Sequence, residues 1–196
     1  FDTGVTAGAI AAPLEGAARP GHFDGVVTAV ARLLGAAIAD RAFFGQKDAQ
    51  QLAVIRRMVA DLAIPAEIVA GPTVREIDGL AMSSRNRYLS LDGRANALAL
   101  VRALAEAQAL HREGVSDIPY IERAMREVLE AHAGVRTEYA RIVDPASFEI
   151  AAVGRPRLAV IAARVGPVRL IDNAALDAAD LVALRPAHPD AQAMAV

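Results

Sequence analysis

The chain has 196 residues, 54% of them hydrophobic and 22% charged, with a formal net charge of -2. That balance fits one large or two small globular domains and excludes general nucleic-acid binding, which needs a basic excess to neutralise phosphates. There is no cysteine, which rules out disulfides, thiolate zinc sites and cysteine nucleophiles and makes a cytoplasmic home the simplest expectation.

The longest apolar stretches, such as 25–39, are interrupted by Arg32 and fall short of the roughly 20 residues a membrane span needs. No secretory leader pattern is visible at the start, so a soluble chain with no membrane segment is expected.

Residues 1–21 are rich in Gly, Ala and Pro and predict a loop carrying a short strand or helix. From Asp24 onward, Val26, Val27, Val30, Leu33 and Leu34 recur at three- and four-residue spacings, which predicts a helix that Asp24 would cap. Arg41-Ala42-Phe43-Phe44 reads as a buried strand halted at Gly45. A second helix carries a buried stripe of Leu52, Ile55, Val59 and Leu62 and stops at Ile64-Pro65. Glu67-Ile68-Val69-Ala70 then forms the next strand, before Gly71-Pro72. Helix, strand, helix, strand is the alternation of a parallel sheet with crossover helices.

Beyond Tyr88 the pattern changes. A helix starts at Ser90 or Asp92 and shares a face of Leu100, Leu104 and Ala107; another starts at Asp117 and Pro119, with Ile121, Met125 and Val128 inward. Strand-like runs follow at 137–143, 158–165 and 168–171, so a small α+β unit is expected, with the boundary between Gly71 and Tyr88. The stretch from Arg185 to Asp190 has little to pack and reads as a loose tail.

Two segments have the composition of a phosphate site. Gly45-Gln46-Lys47-Asp48 lies where a strand gives way to a helix, at the carboxyl edge where open α/β sheets hold ligands. Its glycine permits close backbone approach, and the following helix offers unpaired N–H groups to an anion. Lys47 is the only lysine among 21 basic residues, so a chain that otherwise uses arginine keeps a compact ammonium here. The plainer alternative is an ordinary turn with Asp48 as helix cap. Met82-Ser83-Ser84-Arg85-Asn86-Arg87 gathers two hydroxyls, two guanidiniums and an amide, an inventory suited to polyphosphate, although Ser and Arg are also common in surface loops. Gln50 and Gln51 open the helix after the lysine and could recognise hydroxyl and carboxylate groups together. His22 is read as a packing residue at a helix start, and His111, His132 and His188 are given no role. No metal-ligand spacing is visible.

In order along the chain, Leu14-Glu15-Gly16, Arg19-Pro20-Gly21-His22-Phe23, Phe44-Gly45-Gln46-Lys47-Asp48, Gln50-Gln51-Leu52, Asp78 to Asn86, and Arg169-Leu170-Ile171-Asp172-Asn173 resemble the signatures of the pantothenate synthetase family over roughly residues 1–177. The resemblance implies a partial Rossmann-like, nucleotidyltransferase-type parallel sheet followed by a small α+β domain. The remainder of the nucleotide-binding domain would span 1–73, the α+β domain 74–177 and a flexible tail 178–196. It implies ATP-dependent condensation of pantoate with β-alanine through pantoyl adenylate, releasing AMP and pyrophosphate, by a cytoplasmic homodimer. ATP would be bound by Gly45, Gln46, Lys47, Asp48, Val74, Met82, Ser83, Ser84 and Arg85, with Lys47, Ser83, Ser84 and Arg85 stabilising phosphate charge, and pantoate by Gln51. Mg2+ is implied too. The family's first strand, its His-x-Gly-His helix start, its first pantoate-binding glutamine and its magnesium-binding acidic segment have no counterpart in this sequence. By itself the chain is therefore expected to be inactive or nearly so. The alternative is a noncatalytic dimerisation or regulatory remnant of such an enzyme.

Overall fold

The computed structural model describes residues 2–152, 154–178 and Leu181. They divide into two compact units. One runs to Val74 and takes in Val143–Arg155; the other covers Arg75–Ile142 and the described residues from Pro156 onward. The return of Val143–Arg155 to the first unit is not readable from the pattern of elements, which places that segment with its neighbours in sequence.

In the first unit a 3-10 turn at Ala9–Ala11 and a single helical turn, α1 (Glu15–Ala18), lead to α2 (His22–Ala37), β1 (Arg41–Gly45), a 3-10 turn at Gln46–Asp48, α3 (Ala49–Asp61) and β2 (Glu67–Gly71). The helix expected from Asp24 begins two residues earlier, because Gly21 takes the left-handed conformation (φ +75) that turns the chain into it. Asp24 is a first-turn residue instead, and its Oδ1 accepts from the Ala7 N–H at 2.8 Å. β1 and β2 pair in parallel, in register from Arg41 against Glu67 to Gly45 against Gly71, with α3 as the crossover. Phe23, Val27 and Leu34 of α2 close on Val54, Ile55 and Met58 of α3, with Ala42, Phe44 and Ile68 packed alongside. The strand read as buried has one outward face, where Phe43 is 72% exposed. The inward stripe of α3 also differs from the expected one: Val54 and Met58 are buried, Val59 is half-buried and Leu62 lies past the helix end.

The second unit contains a 3-10 turn at Ser84–Tyr88, then α4 (Leu91–Arg112), α5 (Ile118–Glu130), β3 (Val135–Val143), β4 (Leu158–Val165) and β5 (Val168–Ala175). Ser90 caps α4 by accepting from the Gly93 N–H at 3.0 Å, and Asp117 caps α5 by accepting from the Tyr120 N–H at 3.3 Å, as the sequence indicates. The sheet order is β3-β4-β5, with β4 and β5 antiparallel across a two-residue turn whose Gly166 sits at φ +55. From Ala103 to Leu110 every residue of α4 is buried, since α5 and the sheet pack around it. On α5 the inward positions are Ile121, Met125 and Leu129, with Val128 half-buried, because a 3.6-residue period brings 129 rather than 128 under 125. Leu181, which falls in the expected loose tail, is buried, and its N–H donates to Gln108 Oε1 at 3.1 Å. The stretch from Arg185 to Asp190 lies outside the described residues.

Candidate active site

The candidate segments fall in different units. In the first, Gly45 is the last residue of β1, and the chain makes one tight turn through Gln46, Lys47 and Asp48 into α3. Gly45 has an ordinary extended backbone (φ -68), and a β-carbon added there would meet no heavy atom within 4 Å among the described residues. Neither strain nor crowding within the chain calls for glycine. Asp48 occupies the N-cap position of α3, yet its side chain makes no capping hydrogen bond. The expected capping hydrogen bond from Asp48 is therefore not made. Lys47 is half-buried, while Gln46 and Asp48 are exposed.

The two glutamines at the start of α3 have separate fates. Gln50 is 4% exposed and saturated by the chain: Oε1 accepts from the Glu15 N–H at 3.0 Å, and Nε2 donates to the carbonyls of Ile10 (3.0 Å) and Pro13 (2.9 Å). It is a bracket for the 10–15 loop. Gln51 is half-buried and points its amide elsewhere, since adjacent helical residues lie about 100° apart. Gly16 in α1 packs so closely on the Ala11 carbonyl that no side chain fits there.

His22 is the first residue of α2, and its Nε2 lies 3.0 Å from Arg19 Nη1. Burial, and next the Arg19 charge, lower its pKa from the usual histidine value; Glu15 and Asp48 pull weakly the other way. Arg19 has only donors to offer, so Nε2 is the acceptor of this pair. His132 is engaged structurally, with Nδ1 3.0 Å from the Val128 carbonyl. Val74, the last residue of the first unit before the boundary, is 62% exposed.

In the second unit the Met82–Arg87 segment hangs from a tight turn. Arg75 and Ala81 form an antiparallel bridge closed by the Glu76 N–H donating to the Leu80 carbonyl at 2.8 Å, with Gly79 at φ +90. Two arginines clamp this turn. Arg75 reaches Asp172 on β5 as a fork, 2.7 Å to Oδ2 and 3.1 Å to Oδ1, and also donates to the Gly79 carbonyl at 3.0 Å. Arg94 on α4 pairs with Glu76 at 2.9 Å and Asp78 at 2.5 Å. Hydrogen bonding to Arg94 is the main reason both carboxyls lie below their usual pKa range; for Glu76 the Asn86 amide is the next. Beyond the turn, Met82 is 55% exposed and Ser83 caps the 3-10 turn, its Oγ accepting from the Arg85 N–H at 3.2 Å. Ser84 and Arg85 are exposed. Arg87 is turned onto Tyr88, donating to its hydroxyl at 2.6 Å and lying 4.8 Å over the ring. Among the described residues the Arg85 guanidinium has no ion-pair or hydrogen-bond partner, so of the two guanidiniums Arg85 is the one presented outward. The clamp residues escape a reading of the sequence because Arg75 and Asp172 lie 97 positions apart.

Among the described residues no three His, Asp or Glu side chains converge to hold a metal. No helix among them is long and apolar enough to cross a membrane.

Comparison with known proteins agrees with the resemblance. A family model described as Pantoate-beta-alanine ligase matches residues 1–175. The pantothenate synthetase of Rubrobacter xylanophilus is 54% identical over 174 residues, which cover 88% of this chain and 60% of that protein. A solved pantothenate synthetase from Thermus thermophilus superposes with a TM-score of 0.85 at 45% identity, covering 90% of this chain and 64% of that one. A Francisella tularensis pantoate-beta-alanine ligase, solved in complex with beta-gamma ATP and beta-alanine, gives a TM-score of 0.63 at 26% identity over 90% of this chain and 59% of that one. The chain thus spans about three-fifths of the length of the relatives it matches. With motifs, fold and a family match over nearly all the described residues in agreement, the chain belongs to the pantoate-beta-alanine ligase family.

Proposed function

We propose that this chain carries ATP- and pantoate-binding segments of an enzyme that joins pantoate to β-alanine. In the first step a pantoate carboxylate oxygen attacks the α-phosphorus of ATP; pyrophosphate leaves and an acyl adenylate forms. The β-alanine amine then attacks the acyl carbon, the acyl–oxygen bond breaks, and AMP departs as the amide forms and a proton is released. Gly45, Gln46, Lys47, Asp48 and Val74 in the first unit, and Met82, Ser83, Ser84 and Arg85 in the second, are the ATP-binding residues in this reading. Gln51 takes pantoate. Lys47, Ser83, Ser84 and Arg85 offset the charge that grows on the phosphates as the leaving group departs, and binding both reactants supplies alignment. Mg2+ would enter with the nucleotide. The cytoplasmic location and homodimeric state of the resemblance form part of the same proposal.

The observation that carries this reading is the Gly45–Asp48 turn. The sole lysine of the chain stands at the carboxyl end of a parallel strand, before a helix whose N-terminus has no side-chain cap. The Francisella relative supports ATP and β-alanine as ligands by the compounds in its complex. We further propose that the chain alone binds ATP but does not turn over, because the His-x-Gly-His segment expected to hold phosphates has no counterpart in it. The test is calorimetric titration with ATP, together with AMP and pyrophosphate release from ATP, pantoate and β-alanine with magnesium, for this chain and its Lys47→Ala variant. Binding that weakens in the variant, with no AMP from either protein, is the expected result. An absence of ATP binding overturns the nucleotide assignment, and AMP formation that Lys47→Ala abolishes overturns the claim of incapacity. Pantoate-dependent exchange of labelled pyrophosphate into ATP, measured where turnover occurs, tests the adenylate step.

A further inference from the structure

The Ser83-Ser84-Arg85 run is short, with Ser84 and Arg85 exposed, yet one residue, Asn86, ties its backbone through both its side chain and its own N–H. Asn86 Nδ2 donates to the Ala81 carbonyl at 3.1 Å and to Glu76 Oε1 at 2.7 Å, while the Asn86 backbone N–H donates to the Ser83 carbonyl at 3.0 Å. A single residue therefore ties the start of the segment, its first serine and the clamped 75–81 turn into one ring. The orientation of the amide is fixed, since both groups facing Nδ2 are acceptors and a flipped amide would set oxygen against oxygen. Its Oδ1 is enclosed and takes no hydrogen bond among the described residues, so the residue is held by what it donates. Glu76 is fixed in turn by Arg94, and the root of the turn by Arg75 on buried Asp172.

We propose that Asn86 is a positioning residue for nucleotide binding: its donated hydrogen bonds to Ala81 and Glu76 hold Ser83, Ser84 and Arg85 in the conformation that receives phosphate. This rests on the ATP reading of that segment. Asn86 touches no phosphate in this account; its effect passes through the backbone of its neighbours. A site held by such a brace loses about 10- to 100-fold when its groups are displaced by an ångström or so.

The test uses the full chain, with ATP itself as the probe, in four variants: Asn86→Ala, Asn86→Asp, the double substitution Glu76→Gln/Asn86→Asp, and Arg85→Ala. Asn86→Asp preserves shape but replaces the donor with a carboxylate facing Glu76, so a role in packing alone leaves it like the parent. The double variant reverses donor and acceptor across the same pair. The expected result is ATP affinity lowered about tenfold or more by Asn86→Ala and by Asn86→Asp, with a recovery of about threefold or more in the double variant. Without nucleotide, amide hydrogen exchange at Arg85 should quicken about tenfold in Asn86→Asp while exchange in α4 and β4 is unchanged. Parent-like affinity in Asn86→Asp, unchanged exchange, or no recovery in the double variant overturns the positioning role while leaving the ATP reading in place. If Arg85→Ala binds ATP as the parent does, or if the parent binds none, the nucleotide reading of the segment falls and the positioning role falls with it.

Discussion

Replacing Gln50 by alanine should destabilise the first unit by about 2–4 kcal/mol, whereas the same change at Gln51 should stay within about 0.5 kcal/mol. The side chain of Gln50 is buried and makes three hydrogen bonds at 2.9–3.0 Å, all to backbone groups of residues 10–15. A neutral hydrogen bond contributes about 0.5–1.5 kcal/mol net, and truncating one partner leaves the backbone groups of a part-buried loop to find water or go unpaired. Three such bonds set the range, and the part-buried surroundings keep it below the sum of three full desolvation penalties. Gln51 has no such bracket to break. Urea unfolding followed by circular dichroism measures both variants, and the slope should remain that of the parent if only stability changes. Equal losses for the two glutamines, or a loss under about 0.5 kcal/mol for Gln50→Ala, would refute the structural division between Gln50 and Gln51. Amide exchange at Glu15 gives a local check, because that N–H loses its acceptor only in Gln50→Ala.

Further outcomes follow from the clamp and the histidine. Asp172→Ala should cost about 3–5 kcal/mol because it strands the largely buried Arg75 guanidinium, while replacing both partners by apolar residues should cost far less; thermal unfolding measures this. The folded-state pKa values of Glu76 and Asp78 are depressed, so the stability they add is fully present above the ordinary carboxylate range near about pH 4 and is lost as pH falls through their lower folded values. Arg94→Gln should flatten that acid limb in a pH series of unfolding midpoints, and an unchanged limb would sink the assignment. His22 has a folded pKa below the usual one, so it costs the fold nothing above the normal histidine value; the cost builds as pH falls through the normal value to the lowered one and is fully present below it. Arg19→Gln should move the His22 titration upward, read from its ring-proton shifts by NMR; a downward move or none contradicts the Arg19 contribution.

Much of this architecture was legible because it is local. The caps Ser90 and Asp117, the strand ending at Gly45 and the strand run at 158–165 are each written in a few adjacent residues, and the apolar spacing of α3 and α5 needs only a window of two or three turns. The errors are also physical. Asp24 looked like a cap because it precedes an apolar run, but Gly21 alone can take the left-handed turn that starts α2. Asp48 looked like a cap for the same reason and makes no such bond. Gln50 and Gln51 are indistinguishable as letters; only the loop folded back from residues 10–15 separates them. The lysine turn and the Ser-Ser-Arg run were visible from composition and from the family resemblance. The Arg75 clamp under that run was not, because it joins Arg75 to Asp172, and no local window spans that distance.

The return of Val143–Arg155 to the first unit has a consequence for how the protein is made. The polypeptide crosses between units at Val74–Arg75, at Ile142–Val143 and at Arg155–Pro156. During synthesis the first unit cannot be completed when residue 74 emerges; its last piece follows most of the second unit, so the two cannot mature strictly one after the other. Phe148 at φ +58 and 4% exposed, and Ala151 at 4%, are then late arrivals to a partly formed core. Contacts that close so long a stretch of chain are slow to form. A nascent chain halted before residue 143 would present the open groove bounded by Ile10, Pro13, Arg57 and Asp61, which Ala146–Ile150 otherwise help to line, and would be the form most exposed to chaperones and proteases.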